Sequence, residues 1–201
     1  MLQPLILNHI GGEKVNDKQK KIAKDLLALA YEVKELTPYN KRLPASIMAA
    51  QAIHETGWLV SIPEDNSNEI KGRKSFNILG IKAIPGKYEG TNGYVTCGTH
   101  EYNVECDLYA FVPKANFRAY YSYKECFIDY VEVIHNSMIN MKVLGVTLPI
   151  KVKRYRNAIA SRLNPYDYLL ELWRAGYASD KPYVNKVWNL AVQCKFVKKG
   201  E

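Results

Sequence analysis

The chain has 201 residues, of which 47% are hydrophobic and 24% charged, and a formal net charge of +8. This length and composition predict one globular domain with a sizeable core and argue against a disordered chain. No apolar run reaches the roughly 20 residues that a membrane-spanning helix needs, so no span is predicted. The positive charge favours a polyanionic partner, which nucleic acid, anionic lipid and bacterial wall polymers would all satisfy.

The two ends of the chain are predicted to be tails, at residues 1–14 and 198–201, around a single domain at residues 15–197. The N-terminal segment has no basic stretch and no small-residue cleavage site, and Pro4 interrupts its apolar residues. These features predict that no classical secretory signal is present.

Two helices are predicted in the first third of the chain. Residues 16–36 carry apolar side chains at helical spacing, and Asn16 or Asp17 can cap the first turn. A proline-containing turn follows, and residues 45–55 predict a second helix that Gly57 ends. The first helix should be long and amphipathic, packed on the core.

Glu55 falls in the last turn of that second helix. The helix dipole disfavours a negative charge there, and desolvation would raise the proton affinity of the carboxyl group further. Trp58 and the apolar helix face can supply that desolvation. A carboxyl group in this setting is suited to protonate a leaving oxygen near neutral pH.

The middle of the chain changes character. Residues 61–74 are polar and contain turn formers, which predicts a surface loop. Strand-like segments follow at residues 94–96 and 108–112, so a small β-hairpin lobe is predicted at residues 83–117. Helical spacing returns in three later segments, at residues 122–138, 164–174 and 182–194. The predicted fold class is α+β, mainly α, with a helical body and one β-hairpin lobe.

Five short motifs occur in order along the chain. They are A-Q-A-I-H-E-T-G-W at 50–58, N-I-L-G-I-K at 77–82, T-H-E-Y at 99–102, F-R-A-Y at 117–120 and G-Y-A-S-D at 176–180. With these motifs the chain resembles the glucosaminidase domains of glycoside hydrolase family 73, which include flagellar rod-associated peptidoglycan hydrolases. The resemblance covers residues 17–194 and implies a lysozyme-like fold that cleaves the glycan strand of peptidoglycan after N-acetylglucosamine.

The resemblance also implies roles for individual residues. Glu55 matches the catalytic acid, Glu101 an acidic residue on a mobile β lobe, and Tyr177 a tyrosine near the cleaved sugar. Positions that line or shape the substrate groove are matched by Trp58, Asn77, Gly80, Lys82, Phe117 and Tyr120. Two tyrosines beside these motifs can also provide stacking faces for pyranose rings, namely Tyr102 and Tyr121.

The sequence leaves the stereochemical course open. Carboxyl groups about 5 to 5.5 Å apart are typical of retaining glycosidases, and a separation of roughly 6.5 to 9.5 Å is typical of inverting ones. A third course is attack by the N-acetyl group of the substrate itself, with Glu101 or Tyr177 only steadying that group.

No cofactor and no metal are predicted. The zinc motif H-E-x-x-H that begins at His54 would need a second histidine where Trp58 stands. The four cysteines form no C-x-x-C pair, so free thiols are expected, although Cys97 and Cys106 could face each other across a hairpin.

The predicted function is a peptidoglycan hydrolase, an endo-β-N-acetylglucosaminidase with Glu55 as general acid and Glu101 on a mobile lobe. An N-acetylmuramidase or lytic transglycosylase is an alternative, because those enzymes share the single helical glutamate. A non-catalytic glycan-binding module of the cell wall is another alternative. Nucleic acid is not an expected partner, because the basic residues are scattered along the chain.

The expected partners are peptidoglycan glycan strands and anionic wall polymers. The basic run at residues 151–154 would be attracted to the phosphates of such polymers, and salt would weaken that attraction. We expect a monomer that acts on the bacterial cell wall. Since no classical signal is predicted, the protein would be phage-encoded, virion-associated or exported by another route.

Overall fold

A computed structural model describes residues 15–66, 71–103, 108–143 and 146–198. Its helices are α1 (Asp17–Leu36), α2 (Ala45–Thr56), α3 (Tyr123–Asn136), α4 (Arg156–Ala160), α5 (Pro165–Arg174) and α6 (Tyr183–Gln193), with a 3-10 turn at Tyr39–Lys41. Its strands are β1 (Tyr94–Asn103), β2 (Leu108–Arg118), β3 (Met138–Val143) and β4 (Val146–Lys153). The predicted α+β class, mainly α, is confirmed. Of the predicted tails, residues 1–14 and 199–201 lie outside the described residues.

Helix α1 begins where the sequence predicts. The side chain of Asn16 accepts a hydrogen bond from the backbone N–H of Gln19 (2.9 Å), and the Gln19 side chain accepts one from the backbone N–H of Asn16 (3.0 Å). This capping box satisfies N–H groups that have no partner within the helix. The helix packs on α2 through four buried side chains, those of Ala23, Leu26, Ala30 and Val33.

Helix α2 lies at the centre of the molecule, and all twelve of its residues are buried. Four of its residues are alanines, at positions 45, 49, 50 and 52, and their small side chains let other helices approach closely. Both α1 and α6 pack against α2. A helix enclosed on every side carries its polar residues into the interior, where each needs a hydrogen-bond partner. In α2 these interior residues include Gln51, His54 and Glu55.

The predicted β lobe is the antiparallel hairpin of β1 and β2, in which Glu101 lies opposite Ala110. Both strands are longer than the sequence segments that predicted them. The hairpin has a small apolar cluster of its own, made of Val95, Cys97, Ala115, Phe117 and Ala119. Cys97 is a buried free thiol opposite Ala115, whereas Cys106 lies outside the described residues.

A second antiparallel hairpin, β3 with β4, was not predicted, so the expectation of a single β lobe is wrong. The sequence analysis extended the third helix to residue 138, but α3 ends at Asn136. Met138 and Met141 continue the helical spacing of Ile134, so the sequence pattern does not show where the helix ends and the strand begins. No helix in the described ranges is long and apolar enough to cross a membrane.

The motif N-I-L-G-I-K fixes the β1–β2 hairpin to the helical body. Its apolar members Ile78, Leu79 and Ile81 belong to the main core. The Asn77 side-chain amide donates to the carbonyl oxygens of Ile81 and Arg118, both at 2.9 Å, and its oxygen accepts from the Ile81 N–H at 3.0 Å. The amide therefore links the loop to the end of β2.

A second attachment joins the end of β2 to α3. The guanidinium group of Arg118 donates to both carboxylate oxygens of Asp129 (2.9 and 2.8 Å), and the Tyr120 hydroxyl donates to the same carboxylate at 2.7 Å. Charge-assisted hydrogen bonds of this kind are stronger than neutral ones. The base of the hairpin is thus held on two sides.

Candidate active site

Glu55 is a buried carboxyl group at the C-terminal end of α2, with 2% of its surface exposed. Burial raises the pKa of Glu55 to about 8, and the Asp180 carboxylate acts in the same direction. A hydrogen bond from Tyr183 opposes the shift in part. The helix dipole at this end also disfavours the ionised form. At neutral pH the Glu55 side chain therefore holds a proton that it can donate.

The backbone turns sharply away directly after Glu55. Three successive residues have left-handed conformations, Gly57 at φ 54°, Trp58 at 65° and Leu59 at 64°. For a non-glycine residue this conformation costs on the order of 1–2 kcal/mol. The Thr56 hydroxyl supports the turn by accepting from the Leu59 N–H at 2.9 Å. Backbone strain of this kind persists where the surrounding structure holds it, and functional sites are common places for it.

Two further buried side chains belong to the surroundings of Glu55, and the sequence analysis did not identify either of them. One contacts Glu55, and the other bonds to the first. The Tyr183 hydroxyl lies 3.3 Å from Oε1 of Glu55 and donates to it. Nε2 of Gln51 donates to the Tyr183 hydroxyl at 2.9 Å. Gln51 precedes Glu55 by four residues, and this spacing places both on one helix face. That spacing was a usable signal, whereas Tyr183 is 128 residues from Glu55 and gave none.

Tyr177 lies in the same aromatic neighbourhood. Its ring packs against those of Tyr130, Tyr155 and Tyr183, with centroids 6.0, 6.3 and 6.0 Å apart. Burial, with added effects of Tyr183 and Glu55, raises the pKa of Tyr177 well above its ordinary value. The neutral Tyr177 hydroxyl lies 3.5 Å from the backbone oxygen of Leu79, next to the N-I-L-G-I-K motif.

The same motif supports Glu101 on the hairpin. Nζ of Lys82 lies 2.5 Å from Oε1 of Glu101 and 4.1 Å from the centroid of the Phe117 ring. The hydrogen bond from Lys82 holds the pKa of Glu101 below its usual range. The two side chains are about 40% exposed, at 38% for Lys82 and 42% for Glu101, so solvent reaches the pair.

The two proposed catalytic carboxyl groups thus have opposite environments. Burial keeps Glu55 protonated, and an ammonium group keeps Glu101 ionised. Carboxyl groups whose pKa values are moved apart in this way can act as acid and as base or charge stabiliser at one pH. These are the two roles that cleavage of a glycosidic bond requires.

The remaining predicted groove residues divide by exposure. Tyr121 is 66% exposed, and Trp58 is half-buried beside the turn that follows Glu55. Gly80 is buried and has a positive φ of 62°, a conformation that a glycine adopts without strain. The backbone of Tyr102 pairs with Tyr109 in the hairpin, but its side chain lies outside the described part of the chain.

Three of the residues that were predicted to line or shape the groove are fully buried. Asn77, Phe117 and Tyr120 are each 0% exposed, so none of them can touch a sugar in this conformation. The Asn77 amide bonds backbone atoms, and the Tyr120 hydroxyl bonds Asp129. These residues shape the site from behind, by fixing the hairpin that carries Glu101 to the loop that carries Lys82.

The histidines of the motifs have packing partners. His54 is buried with its ring centroid 5.4 Å from that of Tyr183, and burial lowers the pKa of His54 to about 4. His100 packs on Phe111 at 5.2 Å. Within the part of the chain that the structure describes, no three His, Cys, Asp or Glu side chains meet in a group that could hold a metal ion.

Comparison with known proteins follows the motifs. The sequence model of the family described as mannosyl-glycoprotein endo-beta-N-acetylglucosaminidase (Glucosaminidase) matches residues 34–195. The chain is 32% identical over 149 residues to the peptidoglycan hydrolase FlgJ of Pseudomonas aeruginosa, covering 74% of this chain and 31% of that protein. It is 31% identical over 170 residues to FlgJ of Vibrio cholerae, covering 80% and 42%. The chain therefore spans less than half the length of these curated relatives.

Solved structures share the fold. A peptidoglycan hydrolase mutant from Sphingomonas sp. A1 superposes with a TM-score of 0.62 at 26% identity, covering 87% of this chain and 92% of that chain. The C-terminally truncated glycoside hydrolase domain of Salmonella typhimurium FlgJ gives a TM-score of 0.60 at 26% identity, covering 90% and 99%. The comparisons agree with the resemblance that the five motifs indicate.

The burial of Glu55 predicts how the stability of the protein depends on pH. The folded carboxyl group keeps its proton up to pH of about 8, whereas a free one ionises near 4.5. The unfolded chain loses this proton at a lower pH than the folded chain does. The free energy of unfolding of the native protein should therefore decrease as the pH rises from the lower of these values to the higher. Glu55→Gln has no carboxyl proton to lose at this position. The free energy of unfolding of the variant, relative to that of the native chain, should therefore rise over the same pH range by on the order of 3–5 kcal/mol.

Urea unfolding of both chains at pH 5 and pH 8.5 measures this difference. Glu64→Gln, an exposed position, is the control and should show no such change with pH. An advantage of Glu55→Gln that is the same at both pH values would contradict the raised pKa.

Proposed function

The chain belongs to the glucosaminidase family of glycoside hydrolases, and we propose that it hydrolyses the glycan strand of peptidoglycan as an endo-β-N-acetylglucosaminidase. The observation that carries the proposal is the buried Glu55, which holds its proton at neutral pH at the end of α2. The choice of peptidoglycan is supported by the similarity to proteins named peptidoglycan hydrolase. The whole-protein activity of those longer relatives is not part of the proposal.

In the proposed reaction Glu55 donates its proton to the glycosidic oxygen that leaves. A water molecule supplies the hydroxyl group for the anomeric carbon, and its remaining proton restores the acid. The products are a new reducing N-acetylglucosamine end and a free hydroxyl group on the departing strand. Glu101, kept ionised by Lys82, stabilises the positive charge that develops on the sugar ring, or acts on water or the N-acetyl group.

Tyr177 is proposed to contact the sugar that is cleaved. Its neutral hydroxyl lies 3.5 Å from the backbone oxygen of Leu79, and its ring packs on Tyr183, the residue that contacts Glu55. Closure of the hairpin over the substrate would bring Glu101 to the same bond and exclude water. Action as a monomer is part of the proposal.

The expected place of action is the bacterial cell wall, including its anionic polymers. The exposed lysines Lys151 and Lys153 lie on one face of β4, two residues apart, and support attraction to phosphate groups. Production by a phage, placement in a virion and export by a non-classical route remain the candidate ways of reaching the wall.

Digestion of purified sacculi tests the proposed reaction. The native protein should release fragments that carry reducing N-acetylglucosamine ends, detected by borohydride reduction and mass spectrometry. Glu55→Gln should lower this rate by about 10²-fold or more, because the leaving oxygen loses its proton donor.

Glu64→Gln is the matched control and should digest sacculi at the native rate. Reduced muramic acid ends or anhydro ends would instead assign a muramidase or a lytic transglycosylase. Binding to sacculi with no release by the native protein would refute catalysis and leave a glycan-binding module.

Substitutions of Lys82 and Glu101 test the role of Glu101. Glu101→Gln should reduce kcat on sacculi by roughly 10²-fold, because the amide cannot stabilise positive charge or take a proton. Lys82→Met should move the acid limb of the pH profile of kcat/KM upwards, since the ammonium group no longer favours the ionised Glu101. Native kcat in Glu101→Gln would remove this residue from the mechanism.

Binding in salt tests the attraction to anionic polymers. In the inactive Glu55→Gln background, the double substitution Lys151→Gln and Lys153→Gln should weaken sedimentation with polymer-bearing sacculi several-fold at low salt and little at high salt. The control Lys18→Gln with Lys24→Gln changes net charge equally on α1 and should have less effect. Equal losses in both double variants would show that only net charge matters.

A further inference from the structure

A continuous row of buried hydrogen bonds ends at Glu55. The Tyr168 and Tyr130 hydroxyls are 3.1 Å apart, and Tyr130 donates to Oε1 of Gln51 at 2.8 Å. Nε2 of Gln51 donates to the Tyr183 hydroxyl at 2.9 Å, and Tyr183 donates to Oε1 of Glu55 at 3.3 Å. The row crosses the core from α5 through α3 and α2 to α6.

The chemistry of the groups fixes the direction of every bond in this row. The Nε2 group of Gln51 can only donate, so the Tyr183 hydroxyl accepts from it and directs its own proton to Oε1 of Glu55, its other partner in the row. Oε1 can accept that proton as the carbonyl oxygen of a neutral carboxyl group. The oxygen of the Gln51 amide must accept from Tyr130, whose own proton is then used, so Tyr168 donates to Tyr130.

We propose that Tyr183, oriented by Gln51, is a positioning residue that occupies Oε1 of Glu55 and so assigns the acid proton to Oε2. This inference rests on the proposed role of Glu55 as general acid. If Oε1 carried the proton, Tyr183 would have to accept from it as well as from Gln51, and the Tyr183 hydroxyl proton would lose the acceptor that the row gives it. The row therefore selects one oxygen as the proton donor and keeps the carboxyl plane in one orientation.

The other groups that face Glu55 do not supply this selection. Asp180, which precedes α6, carries the same charge as an ionised Glu55 and is paired with Lys186 at 2.8 Å. Tyr177 is a neighbour whose hydroxyl lies near Leu79. Packing alone would be served by a phenylalanine at position 183, so the hydroxyl group itself is the feature that the proposal explains.

The experiment compares Tyr183→Phe with Tyr168→Phe. Both substitutions remove one buried hydroxyl from the same row, but only the first removes the donor to Glu55. Because that donor favours the ionised carboxylate, its loss should raise the pKa of Glu55 by about 0.5–1 unit. The alkaline limb of kcat/KM should move upwards by the same amount, and kcat should fall about tenfold while KM stays near its native value.

The pKa of Glu55 is read directly by NMR titration of ¹³C-labelled glutamate carboxyl groups, with Glu55→Gln used to assign the signal. This readout needs no substrate, so it separates failure of the inference from failure of the proposed function. If the native protein releases no glycan ends, the proposed function is refuted, whatever the titration shows. An unchanged or lowered pKa in Tyr183→Phe, or an equal rise in Tyr168→Phe, overturns the inference.

If Tyr183→Phe does not fold, a second variant tests the same inference. Site-specific incorporation of 3-fluorotyrosine at position 183 makes the phenol a stronger donor with little change in shape. The pKa of Glu55 should then fall, opposite in sign to the effect of Tyr183→Phe. A rise or no change would overturn the inference equally.

Discussion

The complete enclosure of α2 is the constraint on which the site depends. Every residue of this helix is buried, so the polar groups at positions 51, 54 and 55 had to be placed in the core. A carboxyl group in that position avoids the cost of a buried charge by keeping its proton. The protonated state of Glu55, on which its proposed acid function rests, therefore follows from packing. The hydrogen bonds of Gln51 and Tyr183 follow from the need to satisfy buried polar atoms.

The hairpin lobe serves the opposite electrostatic purpose. It is attached to the core through Asn77 and through the Arg118 and Asp129 pair, and it holds Lys82 against Glu101 where solvent still reaches both. The protonated carboxyl group therefore lies in the helical core, and the ionised one lies on the hairpin.

Local signals determined what the sequence could predict. The cap at Asn16, the stop at Gly57 and the helical spacing of the apolar residues depend on neighbours within a few positions, and α1 and α2 lie where they were expected. The second hairpin was missed because Met138 extends a helical pattern past its true end. Burial of the predicted groove residues and the contact of Tyr183 with Glu55 depend on tertiary packing, which no local pattern encodes.

The position of Glu55 at the end of its helix resolves a conflict between burial and access. In the middle of α2 a carboxyl group would be neutral but enclosed by α1 and α6, out of reach of any substrate. At the end, the left-handed turn that starts at Gly57 carries the backbone away, and Glu55 keeps 2% of its surface exposed. Tyr183 contacts Oε1, so Oε2 is the oxygen left for the proposed reaction. The strain at Trp58 and Leu59 is then a consequence of ending a buried helix within one residue of its reactive group.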